Sequence, residues 1–370
     1  MHDTVRGRVT SAEPVDRDVF IFRIGHLGDT LVSLPAVHRI AQMHRGARLW
    51  LITNAPSGSI VGAWDVLRHT GLFQGALFYR RKWPWHLLQL AVRCRLGKDA
   101  RLYYLSPART RTQMTRDWFF FRAICGFGSI EAAERGIPHA VRDPEGQLLV
   151  LPRECDRLLR SVDPTGAPPP TPYLSPPPAA QERARRELAH LSDRPLIALG
   201  PGSKMPAKKW FIDRYVEICR RITAAHPNLG IVLFGGPEDR NDAEILANAV
   251  GRERAANLAG VTDVIESAAA MLHCGLYLGN DTGTMHLAAI MGLPCIAVFT
   301  SRDNRETWSP WGDDHVILRR DLPCSGCMLE RCEHERMRCL DLITVDDVWQ
   351  VLAPRLATLA RGPRSLRVLG

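Results

Sequence analysis

No apolar run in the 370 residues approaches the roughly 18 that a membrane-spanning helix requires. The first 18 residues are polar and charged, without the apolar core of a secretory leader, so the expectation is a cytoplasmic protein. Two nucleotide-binding signatures are also missing. No G-x-G-x-x-G follows an expected strand, which argues against a dinucleotide-dependent dehydrogenase, and no Gly-Lys-Ser/Thr closes a loop of the Walker A type. Acidic side chains are scarce in one half only. Residues 1–175 hold 24 Lys and Arg against 15 Asp and Glu, whereas residues 176–370 hold 24 of each, so the whole net charge of +9 lies in the first half. Such asymmetry suits an anionic partner of that half: a phosphorylated substrate, an acidic lipid surface or nucleic acid.

The length and a 45% apolar composition allow two domains with proper cores. Residues 163–178 (DPTGAPPPTPYLSPPP) are too rich in proline for regular structure and are taken as a linker. They divide an N-terminal domain, 19–162, preceded by an extension over 1–18, from a C-terminal domain, 179–370.

Short β-branched and aromatic runs, each ending in a glycine turn and followed by a helical pattern, recur along the chain. The first is Val19–Ile24, then Gly25-His26-Leu27-Gly28-Asp29 and a helix from Thr30 to about His44, interrupted or capped near Ser33 because Pro35 lies inside it. Asp29 is thereby placed at the carboxyl end of a first parallel strand, where open α/β sheets bind ligands, unless it merely caps the helix. In the second half the unit occurs three times, at Gly200, Gly235 and Gly279. The turn 200–210 (GPGSKMPAKKW) carries Gly202, Ser203 and three lysines, which suits a diphosphate whose leaving oxygen gains charge. The turn 235–239 (GGPED) carries Glu238 and Asp239, which can accept from ribose or sugar hydroxyls. The turn 279–286 (GNDTGTMH) sets Asp281, Thr282 and Gly283 at a helix start and His286 one turn in, with hydroxyls from Thr282 and Thr284, a geometry suited to phosphate unless Asn280 or Asp281 merely caps the helix and His286 is a core histidine. The segments 80–93 (RRKWPWHLLQLAVR) and 117–122 (DWFFFR) join basic to aromatic side chains, as does a segment resting on a membrane surface or gripping an amphiphile, or an ordinary helix packed on the sheet with arginine on its outer face.

Together these pieces resemble glycosyltransferase family 9, the heptosyltransferases that build the inner core of lipopolysaccharide. The resemblance rests on residues 23–29 (RIGHLGD) with Leu34-Pro35-Ala36, on Lys208-Lys209-Trp210, on Phe234-Gly235-Gly236-Pro237, and on Asn280-Asp281-Thr282-Gly283 with His286 and Ala288-Ala289. It covers residues 19–350 and implies the α/β GT-B architecture, two Rossmann-like domains facing across a cleft. It also implies an inverting transfer of a sugar, heptose from ADP-heptose, to an anionic glycolipid at a membrane face, without a catalytic metal. Asp29 then resembles the general base and Lys208 the cation that neutralises the departing diphosphate, helped by Thr282 and Gly283. Gly202, Ser203, Lys209, Glu238, Asp239, Asp281 and His286 complete the donor site, and Arg23, His26, Arg80, Arg81 and Arg109 are candidates for the acceptor.

Six of the ten cysteines are scattered through apolar segments as buried thiols, but Cys324, Cys327, Cys332 and Cys339 form C-x2-C-x4-C-x6-C. Four thiols so spaced suit a structural zinc or iron, with disulfides or free thiols as alternatives. Two rival readings of function remain: the same fold acting on another nucleotide sugar or a secondary-metabolite acceptor, and a basic nucleic-acid-binding protein. The second leaves the Asn-Asp-Thr-Gly and Lys-Lys-Trp turns without a purpose, so no nucleic-acid partner is expected.

Overall fold

The computed structural model describes residues 18–54, 61–79, 84–95, 100–106, 110–132, 140–167, 170–333 and 336–361. Its N-terminal half contains β1 (Asp18–Phe22), α1 (Leu27–Leu31), α2 (Leu34–Met43), β2 (Arg48–Thr53), α3 (Ala63–Leu67), β3 (Phe73–Phe78), α4 (Pro84–Arg95), β4 (Arg101–Tyr104), α5 (Arg111–Phe119), β5 (Ser129–Glu131) and α6 (Glu154–Val162). The second half contains α7 (Pro178–Glu187), β6 (Leu196–Gly200), α8 (Ile212–Ala225), β7 (Gly230–Leu233), α9 (Arg240–Val250), β8 (Ala255–Asn257), α10 (Val264–Met271), β9 (Cys274–Asn280), α11 (Gly283–Ile290), β10 (Cys295–Phe299), β11 (His315–Arg319), α12 (Arg338–Asp341) and α13 (Val345–Arg361).

Each half is one sheet whose paired strands all run parallel, in the order β3-β2-β1-β4-β5 and β11-β10-β9-β6-β7-β8. The central strands read as unbroken apolar runs because helices cover both of their faces. In β1 the alternation is visible: Val19 and Ile21 enter one core with α2 and α6, and Phe20 and Phe22 enter another with α4 and the 120–127 segment. In both sheets the order reverses beside the first strand of the half, between β1 and β4 and between β6 and β9. A crevice opens at each reversal outside the carboxyl ends of the strands, which is where such sheets take ligands.

The two halves are not separate bodies joined by a loose tether. One core runs from Leu31, Val32 and Leu34 through Tyr173 and Leu174 to Met285, Leu287 and Ala288, and α1 packs on α11. Between α6 and α7 the described residues hold no helix or strand, yet the proline-rich stretch is packed in place. Tyr173 is buried against His38 and Trp311, and its amide donates to Ile290 O at 3.0 Å. A proline run has few amides to satisfy and can be laid into such a seam at little cost. Just before it, residues 141–154 cross to the other half, where Val141 exchanges bonds with Asn304 and the Glu154 amide donates to Thr307 O.

The helical pattern expected from Thr30, interrupted or capped near Ser33, is two helices. Pro35 has no amide to donate, so the chain breaks at Val32 and Ser33, and α2 starts from Ser33 as its N-cap. The first helix begins three residues earlier than expected, which moves Asp29 from the strand end into the helix's first turn.

Candidate functional site

Asp29 stands at the third position of α1, where its Oδ2 accepts from the His26 amide at 2.9 Å. Asp29 is thus not the N-cap, which is His26, but it supports that cap from the first turn and uses one face of its carboxylate to do so. Asp29 is half-buried, and its other oxygen accepts no hydrogen bond among the described residues. Gly25 is required behind it: its φ is +135°, and a Cβ there would lie 2.7 Å from that of Asp29. His26, the N-cap, is exposed beside it at the mouth of the cleft.

Across the cleft, α11 starts at Gly283 with Thr282 as N-cap, directly after β9. Its first amides have no partner within the helix and, with the helix dipole, present positive charge to the cleft. A hydroxyl relay lies beneath them. Tyr277 Oη is 3.0 Å from Thr284 Oγ1, which is 2.8 Å from Thr282 Oγ1. Burial pushes the Tyr277 phenol up, so it stays protonated and available as a donor. Lys208, in the turn after β6, places Nζ 2.6 Å from Asp281 Oδ2, with both side chains largely buried. His286 is 4% exposed, and burial lowers its pKa to about 4. Asp281 and Asp29 oppose that shift and Lys208 adds to it, but desolvation dominates, so the imidazole is neutral at physiological pH.

The two halves meet at this point. A Cβ added at Gly28 would lie 3.7 Å from His286 Cδ2, and one added at Gly283 would lie 2.9 Å from Leu27 Cδ2. The start of α1, carrying Asp29, therefore faces the start of α11, carrying Thr282, Gly283 and His286. The site is held from behind by Asn280. Its Oδ1 accepts from the Trp210 amide at 3.2 Å and from Tyr215 Oη at 3.0 Å, and its Nδ2 donates to Pro201 O at 2.6 Å. One fully buried amide thus ties the turn after β9 to the turn after β6. The sequence offers Asn280 as a helix cap and a member of the Asn-Asp-Thr-Gly motif and Thr284 as a hydroxyl of the turn, whereas Tyr277 and Tyr215 carry no signal there beyond apolar patterning.

Several candidates are spent inside the protein. Arg23 is fully buried, and its guanidinium donates to the carbonyls of Leu105, at 2.5 Å, and Asp29. It fixes the ends of β1 and β4 to α1 rather than reaching an acceptor, because a buried guanidinium must find acceptors at once. Lys209 lies 3.2 Å from Asp239 and 3.3 Å from Asp242, and Asp239 Oδ2 also accepts from the Gly236 amide. These two brace the turns after β6 and β7 against each other. Gly202 makes room for that brace, since a Cβ there would fall 2.0 Å from Asp239 Cγ. Ser203 is 9% exposed and accepts from the Met205 amide. Glu238, by contrast, is exposed, with Lys204 Nζ 4.0 Å away. Arg80, Arg81 and Arg109 lie outside the described residues.

Cys324, Cys327, Cys332 and Cys339 line one cavity of about 20 Å³ together with Ala207, Thr300 and Arg302. Cys332 Sγ accepts from the Met337 amide, and the Ala207 amide donates to Glu330 O, so this loop backs the Lys208 turn. Among the described residues no three ligating side chains are close enough to hold an ion as they stand.

A family model described as glycosyltransferase family 9 (heptosyltransferase) matches residues 137–338, more than half of the chain. The chain belongs to glycosyltransferase family 9. The part matched to family 9 contains Lys208, Glu238, Asp281, Thr282, Gly283 and His286, while Asp29 precedes it. Lipooligosaccharide heptosyltransferase 2 of Haemophilus influenzae is 31% identical over 156 residues, which is 40% of this chain and 44% of that one. The chain thus matches less than half the length of this curated relative. Among solved structures, the Escherichia coli ADP-heptose lipopolysaccharide heptosyltransferase II superposes with a TM-score of 0.63, covering 92% of this chain and 99% of that one at 18% identity. The iron-containing dodecameric glycosyltransferase TibC of enterotoxigenic E. coli covers 93% of this chain and 77% of its own, with a TM-score of 0.53 and 15% identity. At these identities the superpositions speak for the fold: this family 9 chain has the GT-B architecture of two Rossmann-like domains across a cleft.

Proposed function

We propose that this protein is an inverting glycosyltransferase that moves heptose from ADP-heptose to an anionic, lipopolysaccharide-type acceptor. The observation that carries the reading is the meeting of Asp29, from one half, with the Lys208, Thr282, Gly283 and His286 cradle of the other. In this scheme an acceptor hydroxyl attacks the anomeric carbon while its proton passes to the free oxygen of Asp29. The bond from that carbon to the diphosphate breaks on the opposite side, which inverts the configuration. The negative charge left on the diphosphate is met by Lys208 Nζ, the Thr282 hydroxyl, the Gly283 amide and the α11 dipole, all fixed before the reaction. Neutral His286 donates or accepts a hydrogen bond without adding charge. Glu238 accepts from a hydroxyl of the donor.

The nature of the sugar is supported by the heptosyltransferase names of the relatives and by the ADP-heptose of the E. coli neighbour. An anionic acceptor is supported by the net charge of +9, all of it in the half that carries Asp29. The four cysteines are a fitting donor set for a structural zinc or iron: all are sulfur, and they surround one small space, although they must close in by rotamer changes to bind. A metal there would hold the loop that backs Lys208 and take no part in the transfer.

Asp29→Asn tests the reading. ADP affinity should stay within about threefold, because Asp29 lies on the acceptor side, while sugar transfer falls by at least about a hundredfold. Equal loss of both would reduce Asp29 to a helix cap.

A further inference from the structure

Six of the eleven large apolar side chains that lie exposed among the described residues sit on two neighbouring elements of the N-terminal half. Trp85, Leu88 and Val92 fall at spacings of three and four on α4, which makes one stripe on a helix whose opposite face, Leu90, Ala91 and Cys94, is in the core. Trp118 and Phe119 end α5, and Ile124 closes the single π turn that follows it. Their exposures reach 73% for Trp85 and 59% for Phe119, far above the usual state of such side chains. Arg95 joins the two elements, donating from Nε to Ile124 O at 2.8 Å and from Nη2 to Ala123 O at 3.0 Å. A helix apolar on both sides belongs in contact with something besides its own core.

Charge decides what that is. The two helices and the π turn carry five arginines and one acid, Asp117, which is buried and bonded to Arg116 and Tyr104. Arg95, Arg111 and Arg122 are exposed. Apolar and aromatic side chains set among exposed cations, with no exposed acid between them, match the headgroup and upper acyl layer of an anionic bilayer. We infer that α4 and α5 form the surface by which this protein docks on anionic lipid. The inference stands on this surface and not on the sugar or donor assigned above.

The test is sedimentation of the full chain with phosphatidylcholine vesicles, with and without phosphatidylglycerol. The wild type should bind the anionic vesicles, release in high salt, and lose roughly tenfold in partition when Trp85, Leu88 and Val92, or Trp118 and Phe119, are changed to Ser. Unchanged ADP affinity in those variants shows that the fold and donor site are intact. Should a variant not fold, quenching of wild-type tryptophan fluorescence by brominated lipid gives the same answer. No binding to anionic vesicles, binding indifferent to the substitutions, or a dimer in solution that the substitutions dissolve would each overturn it, the last by giving the face to a second copy.

Discussion

Lys208 is the side chain on which the charge accounting of the donor site turns. Its ammonium lies 2.6 Å from Asp281, with 14% of the lysine and 9% of the aspartate side chain exposed. Truncation to Ala has two separable effects. It removes one charge-assisted contact to the diphosphate, worth about 1.5–3 kcal/mol, or roughly 10- to 150-fold in affinity. It also leaves Asp281 without its counter-charge; for a fully buried pair that costs about 3–5 kcal/mol, and a pair at the edge of a cleft costs less because water reaches the carboxylate. Lys208→Ala, Asp281→Ala and the double variant resolve the two. ADP binding by calorimetry and unfolding by urea are measured on each. If Lys208 serves the diphosphate, ADP affinity falls in Lys208→Ala and in the double variant alike, while the double variant regains part of the stability lost in Lys208→Ala. Asp281→Ala, which releases the ammonium from its resting partner, should bind ADP at least as tightly as the wild type. The reasoning is refuted if Lys208→Ala loses stability yet keeps its ADP dissociation constant within about twofold, because the lysine would then be only a partner for Asp281.

Two further outcomes are expected. His286 has a native pKa of about 4 against 6.5 for the free side chain. The unfolded chain therefore takes up a proton below pH 6.5 that the folded chain refuses, so the stability present above pH 6.5 is lost as pH falls towards 4. The loss from this residue is about 2 kcal/mol by pH 5, and urea midpoints at pH 7 and pH 5 should converge in His286→Gln by that amount relative to the wild type. For the cysteine cluster, about one zinc or iron per chain should accompany the purified protein and disappear when Cys327 and Cys332 are both changed to Ser. Metal analysis that finds none, with all four thiols open to titration in the folded protein, would leave them as free cysteines.

The sequence made the strands legible because each central strand of a doubly wound sheet is apolar on both faces. It made the site legible because glycine and polar residues gather where those strands stop. Among the strands it did not show, β5 and β8 are three residues long, too short for a pattern, and β11 holds only three apolar residues in a row. The boundary that moved is the start of the first helix, at Leu27 rather than Thr30, while the break before Pro35 falls where its missing amide puts it.

Residue roles were harder to read than elements, for a different reason. A turn that binds a ligand needs polar groups to touch it and other polar groups to keep the turn in shape, and both kinds are written in the same letters. Glu238 and Asp239 are adjacent acids in one motif. A single residue step in the short turn sends Glu238 into solvent and Asp239 inward to the Gly236 amide and Lys209. Lys208 and Lys209 divide too, one towards Asp281 in the cleft and the other towards Asp239 and Asp242, although here the cleft member is the more buried, at 14% exposed against 31%. Arg23 and Asp29 do so again, six residues apart, with the arginine holding the backbone of the very residue whose carboxylate it leaves free. In the acid pair and in Arg23 with Asp29 the inward member meets a desolvation cost that only fixed partners offset, so it is bound to the fold, and the outward member is left to meet a ligand. Burial separates the members of those two pairs and the choice of partner separates the lysines, and both are properties of the packed chain rather than of the motif.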